Sequence, residues 1–223
     1  MAIDAKVKDN HFHLNGVNYF RGHAESVQLG DAGEKKTPAT QENYLAVQES
    51  VPRVKLDIER ATQIDIHSAD FGGSDISVGI TIPGLGTLDA GSVARQLKDQ
   101  TLSLVKLEIL PKNIVGAAND SPAVITELIR AGNGARLVHQ AFVILEMKTA
   151  LNFTRSSRFD VTGTVKSWTV TASGGTSSAS RTTVTITPGT TFAYLLLKLK
   201  WDANQKKNWK RIVDWEDDQW SLY

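Results

Sequence analysis

Asp120-Ser-Pro-Ala-Val-Ile-Thr-Glu-Leu-Ile-Arg-Ala-Gly132, a short link, and then Ala141-Phe-Val-Ile-Leu-Glu-Met-Lys-Thr-Ala-Leu-Asn-Phe-Thr154 decide the fold. In the first half, Ser121 is placed to cap a helix that has Pro122 at its first position. Val124, Ile125, Leu128 and Ile129 form one apolar helix face, and Gly132 supplies the C′ residue. The second half reads as a long strand. Flanking segments with period-two alternation need this helix–strand unit to cover and pair them.

Upstream, Asn15-Gly16 is a strong hairpin signal, because a type I′ turn needs positive φ at both central residues. Gly30 to Pro38 reads as a polar loop whose Glu34-Lys35-Lys36 run forms a solvated tip, and residues 40–50 are helix-permissive. Val54, Leu56 and Ile58 alternate with Arg53, Lys55, Asp57 and Glu59, and Ile64 and Ile66 continue the pattern after an irregularity at Ala61-Thr62. Ile76, Val78, Ile80 and Ile82 alternate with Ser77, Gly79 and Thr81, so 53–82 reads as an amphipathic hairpin. Pro83-Gly84-Leu85-Gly86 breaks that strand, and the glycine-rich stretch to Gly91 reads as a chain-reversing loop before a short helix from Ser92 to Lys98. Thr101 to Leu110 is a further strand, ended by Pro111. Phe159 to Thr171 pairs with Thr182 to Thr187 across a Ser/Gly-rich link, and Thr190 to Lys200 is apolar strand.

The 223 residues suit one domain with a real core. A net charge of +1 argues against a nucleic-acid partner, because such binding rests on neutralising phosphates. Cysteine is absent, which removes disulfides, thiolate metal sites and a cysteine nucleophile. No apolar leader or spanning helix is legible, so the expected location is cytoplasmic.

No enzymatic constellation emerges. His11, His13 and His23 could meet, but no carboxylate stands at ligand spacing, and they read as ordinary histidines. Gly84 to Gly91 fits neither the dinucleotide fingerprint nor the P-loop. The Asn152 and Asn119 sequons read as chance. Trp201, Trp209, Trp215 and Trp220 interleave with Lys206, Lys207, Lys210 and Arg211, but Asp214, Glu216, Asp217 and Asp218 cancel that charge locally. The tail 201–223 is therefore expected to dock its tryptophans on the body.

The order of helix 122–131, Gly132, strand 138–154, a second strand and a Ser/Gly-rich loop is followed by Thr183-Val-Thr-Ile-Thr-Pro-Gly-Thr-Thr-Phe-Ala-Tyr-Leu-Leu-Leu-Lys-Leu199. Over residues 101–200 this order resembles the second half of the gasdermin pore-forming domain, including the valine- and glutamate-containing strand Phe142-Val-Ile-Leu-Glu146. The chain departs from that family in having no cysteine and no basic first helix, so no lipid-binding residue is carried over. The resemblance implies a homo-oligomer that acts on membrane lipid, becoming membrane-associated on activation.

These readings give an α+β fold: a twisted, mainly antiparallel sheet with two or three short helices on one face, no cofactor and no metal. Two hairpins, 53–82 and 142–171, are the candidate membrane or assembly elements. Their candidate residues are Val54, Leu56, Ile58, Ile76, Val78, Ile80, Val143, Leu145, Met147, Leu151 and Phe153. The strand from Phe142 also carries Glu146 and Lys148 on the face of Phe142 and Ile144, so insertion would turn the Val143 face to lipid. The alternative is a non-enzymatic structural protein that self-assembles, or binds a protein partner of unknown identity, through strand edges.

Overall fold

The computed structural model describes residues 4–8, 10–39, 43–52, 60–67, 79–82, 86–89, 102–145, 168–173, 181–186, 190–203 and 206–221. The strands in the first half are β1 (Ala5–Val7), β2 (His11–Leu14), β3 (Val17–Phe20), β4 (Asp31–Lys36), β5 (Tyr44–Ser50), β6 (Arg60–Ile66), β7 (Gly79–Ile82), β8 (Gly86–Asp89) and β9 (Leu102–Glu108). Helices α1 (Pro111–Asn119) and α2 (Pro122–Ala131) follow. β10 (Ala135–Leu145), β11 (Trp168–Ser173), β12 (Arg181–Ile186), β13 (Thr191–Trp201) and β14 (Ile212–Asp218) complete the order.

The described residues form a mostly antiparallel, open ten-stranded sheet with two helices, an α+β fold in which the sheet dominates. Its axis is the antiparallel pair β10/β13, each strand running eleven residues. β13 is buried from Thr191 through Leu197, as expected of a strand covered on both faces. The outer edge of β10 is shared, with β4 pairing Ala135 to Leu137 and β9 pairing Gln140 to Leu145. The outer edge of β13 is shared too, with β14 along Leu196 to Trp201 and β3 at Tyr194. The change of neighbour along β10 falls at a bulge between Val138 and Gln140. There the Val138 carbonyl accepts from Gly30 N–H at 3.0 Å and the His139 carbonyl from Ile109 N–H at 3.0 Å. A bulge sharpens local twist, which lets two sheets diverge from one strand pair.

Three apolar clusters follow from that split. Phe12, Leu14 and Tyr19 of the β2–β3 hairpin pack with Ile64, Ile66, Leu104, Phe142, Ile144 and Phe192 of β6, β9, β10 and β13. Phe12 and Tyr19 meet the Phe142 ring edge-on at 5.1 and 4.7 Å. The helices supply Ile114, Val115, Val124 and Leu128 to a second cluster over Leu137, Leu197 and Leu199. Phe20, Leu45, Val138, Tyr194, Leu196 and Trp220 make a third.

The hairpin turn is as expected, with Asn15 at φ 49° and Gly16 at φ 85°. Gly132 ends α2 at φ 67°. Trp168 to Thr171 pair with Thr183 to Ile186. Other expectations are corrected. Residues 31–36 are strand and not a loop tip, and 44–50 are strand and not helix. Both are held by pairing, and Gly33 permits a close approach, since a Cβ there would meet the Ala46 carbonyl. Pro111 ends β9 but also opens α1, where a missing N–H costs nothing. β6 runs through Ala61-Thr62 without a register shift and pairs with β9; it is not the first arm of a hairpin with 76–82. β7 instead pairs with β8, inside the stretch read as loop. The described partners of β10 are β4, β9 and β13, and β11 pairs with β12, so a 142–154/159–171 hairpin is not formed by the described residues. The helix read at 92–98 lies outside them.

Leu128 is fully buried beneath α2. Leu128→Ala should cost about 3 kcal/mol of unfolding free energy by the lost transfer and the cavity. Leu128→Asp should leave no cooperative transition, because an unpaired charge cannot be carried there. Urea melts of both variants test this, and an Asp variant that melts like wild type would remove α2 from the core.

Candidate insertion and assembly site

β6, β9, β10 and β13 stand side by side in chain order, each antiparallel to the next. β6 ends at Ile66, opposite Leu102 at the start of β9. β10 ends at Leu145, opposite Ser103, and β13 begins at Thr191, opposite Val143. Segments 67–101 and 146–190 therefore both leave and rejoin this four-strand ladder at the same end. Each segment carries an antiparallel strand pair, β7/β8 in the first and β11/β12 in the second. Register sets Ile80 opposite Leu88 and Thr81 opposite Thr87. In the second pair Val170 faces Val184, with Thr169 opposite Thr185 and Thr171 opposite Thr183. In the second pair apolar and threonine rungs alternate from Trp168–Ile186 to Thr171–Thr183, the period-two pattern of an amphipathic strand.

Of the sequence-derived candidates, Val143 lies on β10 and is half-buried, facing away from Phe142 and Ile144, which are in the core. Leu145 closes β10 against Ser103, and Ile80 lies on β7. Val54, Leu56, Ile58, Ile76, Val78, Met147, Leu151 and Phe153 lie outside the described residues. The structure thus puts Val143 and Leu145 in the ladder and Ile80 in the first of the two segments.

The outer edge of β13 beyond the ladder is lined by charge. Lys35 of β4, Arg136 of β10 and Lys198 and Lys200 of β13 meet Asp214, Glu216 and Asp218 of β14. Asp218 accepts from Lys35 Nζ at 2.9 Å and from Arg136 Nε, all three side chains being largely buried. Lys198–Glu216 at 2.7 Å and Lys200–Asp214 at 2.8 Å are half-exposed. Sequence reading set these carboxylates against Lys206 to Arg211, their near neighbours; the sheet sets them against cations brought from far along the chain. A purely local charge count cannot detect such pairing.

On the opposite face a polar seam separates the first two apolar clusters. Glu108 sits opposite Gln140, and Asp217 opposite Leu197. Gln140 Nε2 donates to Glu108 at 3.2 Å. The buried His139 ring, at the bulge, places Nε2 3.3 Å from Asp217 Oδ1, short of hydrogen-bond geometry. That contact with His139 holds the Asp217 carboxyl below its usual range, outweighing partial burial. Burial first, then the Glu108 and Asp217 charges, push the Tyr19 hydroxyl up to about 12.

Of the histidines considered as ligands, His11 stacks on Trp220 at 4.2 Å. His13 Nδ1 lies 2.8 Å from Asn18 Oδ1, and His23 tilts over Tyr44 at 4.3 Å. Among the described residues no group of three or more His, Asp or Glu side chains could hold a metal ion. No described helix is long and apolar enough to cross a membrane, a fact that leaves crossing by strands untouched. No protein-family model matches the chain, and no curated protein or solved structure does so either.

Two measurements follow. Asp218→Ala leaves two largely buried cations without their carboxylate and should cost about 3 kcal/mol. Asp214→Ala should leave the melting temperature unchanged, because its pair with Lys200 is solvent-screened. Equal shifts would contradict this division. Burial in the stack, then the His13, Lys8 and Arg21 charges, lower the His11 pKa from 6.5 to about 4. The unfolded chain takes up that proton first, so the His11 contribution is complete above pH 6.5 and is lost as pH falls toward 4. His11→Phe, which keeps a ring against Trp220, should flatten the stability–pH curve across that window. An unchanged slope would show that His11 does not titrate as placed.

Proposed function

We propose that this chain is a pore-forming effector of gasdermin-like architecture, which oligomerises and inserts amphipathic β-hairpins into a lipid bilayer. The observation that carries the reading is the ladder β6-β9-β10-β13, with segments 67–101 and 146–190 issuing from one end. Extending each pair outward through its segment would turn β6/β9 and β10/β13 into two long hairpins side by side. A transmembrane strand needs about 9–11 residues, and only a closed array of strands satisfies its backbone in lipid. Both segments are long enough, and both already contain paired, alternating strands. The hairpins of this reading are thus 60–108 and 135–201, wider than those drawn from sequence alone. In a strand drawn out beyond β10, Val143, Leu145, Met147, Leu151 and Phe153 would share one face, the alternating set expected to meet lipid.

A second reading, a self-assembling structural protein, draws on the strand edges. Among the described residues β6 pairs only with β9, and β5 has β4 as its one strand neighbour apart from the Gly22–Tyr44 bridge. Edges of this kind can recruit a second chain without any membrane.

Dye release from liposomes separates the two. Wild-type protein should release dye. Ile80→Lys should reduce release by about threefold or more, since a cation on the lipid face of a spanning strand is destabilising, by up to about 1 kcal/mol even near the interface. Thr81→Lys, one residue on and facing the lumen, should release dye at nearly the wild-type rate. Assembly without any release by wild type would favour the structural reading, and equal effects of the two lysines would contradict the proposed strand orientation.

A further inference from the structure

The strand pairs β7/β8 and β11/β12 stand in different relations to the ladder they issue from. Ile66 is paired with Leu102 at the end of β6/β9, and Gly79 with Asp89 at the start of β7/β8. Residues 67–78 lead from one pair to the other on the outgoing side, and residues 90–101 on the returning side. The two stretches are equal in length, so pairing along them would join β6/β9 to β7/β8 with no residue left over. Neither strand pair contains a register shift. The same register closes at Pro83-Gly84-Leu85, the three residues between Ile82 and Gly86, a common hairpin length. It also keeps Ile80 and Leu88 on the side of the buried Ile66 and Leu102, because each lies an even number of residues away.

The second segment is built otherwise. Val143 is opposite Thr191 at the end of β10/β13, and Trp168 is opposite Ile186 at the start of β11/β12. Residues 144–167 separate these pairs on one side, and only residues 187–190 on the other. The point midway between Val143 and Thr191 falls at Ser167, before β11 begins. If β10/β13 lengthened in its own register, β11 and β12 would both lie in the returning arm, where they could not pair with each other. The faces disagree as well. β10 pairs with β9 without a slip, and Ile144 is opposite Leu104, on the side that the first hairpin keeps for Ile80. Val143 and Leu145 are on the other side, and a strand drawn straight on would carry Met147, Leu151 and Phe153 there too. A one-residue slip reverses the face of every side chain beyond it, so turning both apolar sets to one side needs a change of register in the second segment.

We propose that the two hairpins form by different routes: the first by lengthening the register it already has, the second only after β11 and β12 part and take new partners. This inference rests on the pore-forming reading and names the rearrangement that insertion passes through. Residues 67–101 can zip from either end, since the ladder supplies one paired terminus and β7/β8 the other. In 146–190 the existing pair must be lost before the arms can meet. A two-stranded ribbon is marginally stable by itself in water, so β11/β12 can hold the second hairpin back and still give way.

The absence of cysteine makes a direct test available. Thr171 and Thr183 are register partners in β11/β12, and Thr81 and Thr87 in β7/β8. Cross-strand partners lie within disulfide reach. Two full-length proteins, one carrying Thr171→Cys with Thr183→Cys and the other Thr81→Cys with Thr87→Cys, are oxidised. Dye release from liposomes is compared with that of the same proteins after reduction. Ala172→Cys with Thr182→Cys replaces the first pair should that protein fail to fold or be inactive when reduced. A disulfide across β11/β12 forbids the exchange of partners, so release should fall about tenfold or more and return on reduction. A disulfide across β7/β8 fixes a pair that is kept, so release should stay within about twofold of the reduced protein. Release that survives the β11/β12 lock overturns the proposal and leaves the pore reading intact. Loss of release under the β7/β8 lock also overturns it, because the first hairpin then does not keep its register. Wild-type protein that releases no dye removes the pore reading, and this proposal with it.

Discussion

The pairing of β10 with β13 is the constraint on which everything else hangs. Two eleven-residue strands in antiparallel register make one long ribbon, and each of its outer edges is divided between two neighbours. At one end the ribbon belongs to a sheet with β4, β5 and β14 under the helices. At the other it belongs to the ladder with β6 and β9, over which β1 to β3 fold back. The bulge at His139 is the joint between the two, since backbone bonds to Gly30 and Ile109 are made on either side of it. Disturbing that ribbon would affect all three apolar clusters together, because β10 and β13 contribute to each.

The two ends are stabilised by different physics. The ladder end is held by interlocking aromatic rings, Phe12, Tyr19, Phe142 and Phe192, which give dispersion and apolar burial in fixed geometry. The β14 side is held by backbone bonds, by carboxylates set against cations of β4, β10 and β13, and by Ile212 and the following Trp220, which are buried in the second and third clusters. Among these pairs the largely buried contacts of Asp218 with Lys35 and Arg136 carry stability, whereas the half-exposed Lys198–Glu216 and Lys200–Asp214 pairs are worth little each and respond to salt.

Much of the local structure was legible in the sequence because its causes are local. Asn15-Gly16 asks for positive φ, Pro122 and Gly132 bracket a helix, and the runs at 168–173, 181–186 and 191–201 alternate or bury as strands do. What escaped was set by distant partners. Asp31 to Lys36 is polar enough to read as loop, yet Lys35 is drawn inward by Asp218 and a ring contact with Phe20. Residues 44–50 take strand form because β4 offers them an edge. The partner of β6 could not be read at all: alternation says that 60–66 is a strand, but pairing with 102–108 across β7 and β8 is a fact of topology. The connection of the candidate strands was not legible, since β6 pairs with β9 across a whole segment and β7 with β8, whereas alternation alone points to the strand next in sequence.

The central claim is that segments 67–101 and 146–190 extend the ladder into a bilayer. Single cysteines placed in turn at residues 76 to 82, in a chain that has none of its own, can each carry an environment-sensitive fluorophore. On adding liposomes, the account predicts emission changes with period two, with Ile76, Val78, Ile80 and Ile82 entering an apolar environment and Ser77, Gly79 and Thr81 remaining in water. Emission that does not change with lipid at any of the seven positions, or that changes without alternation, would contradict it.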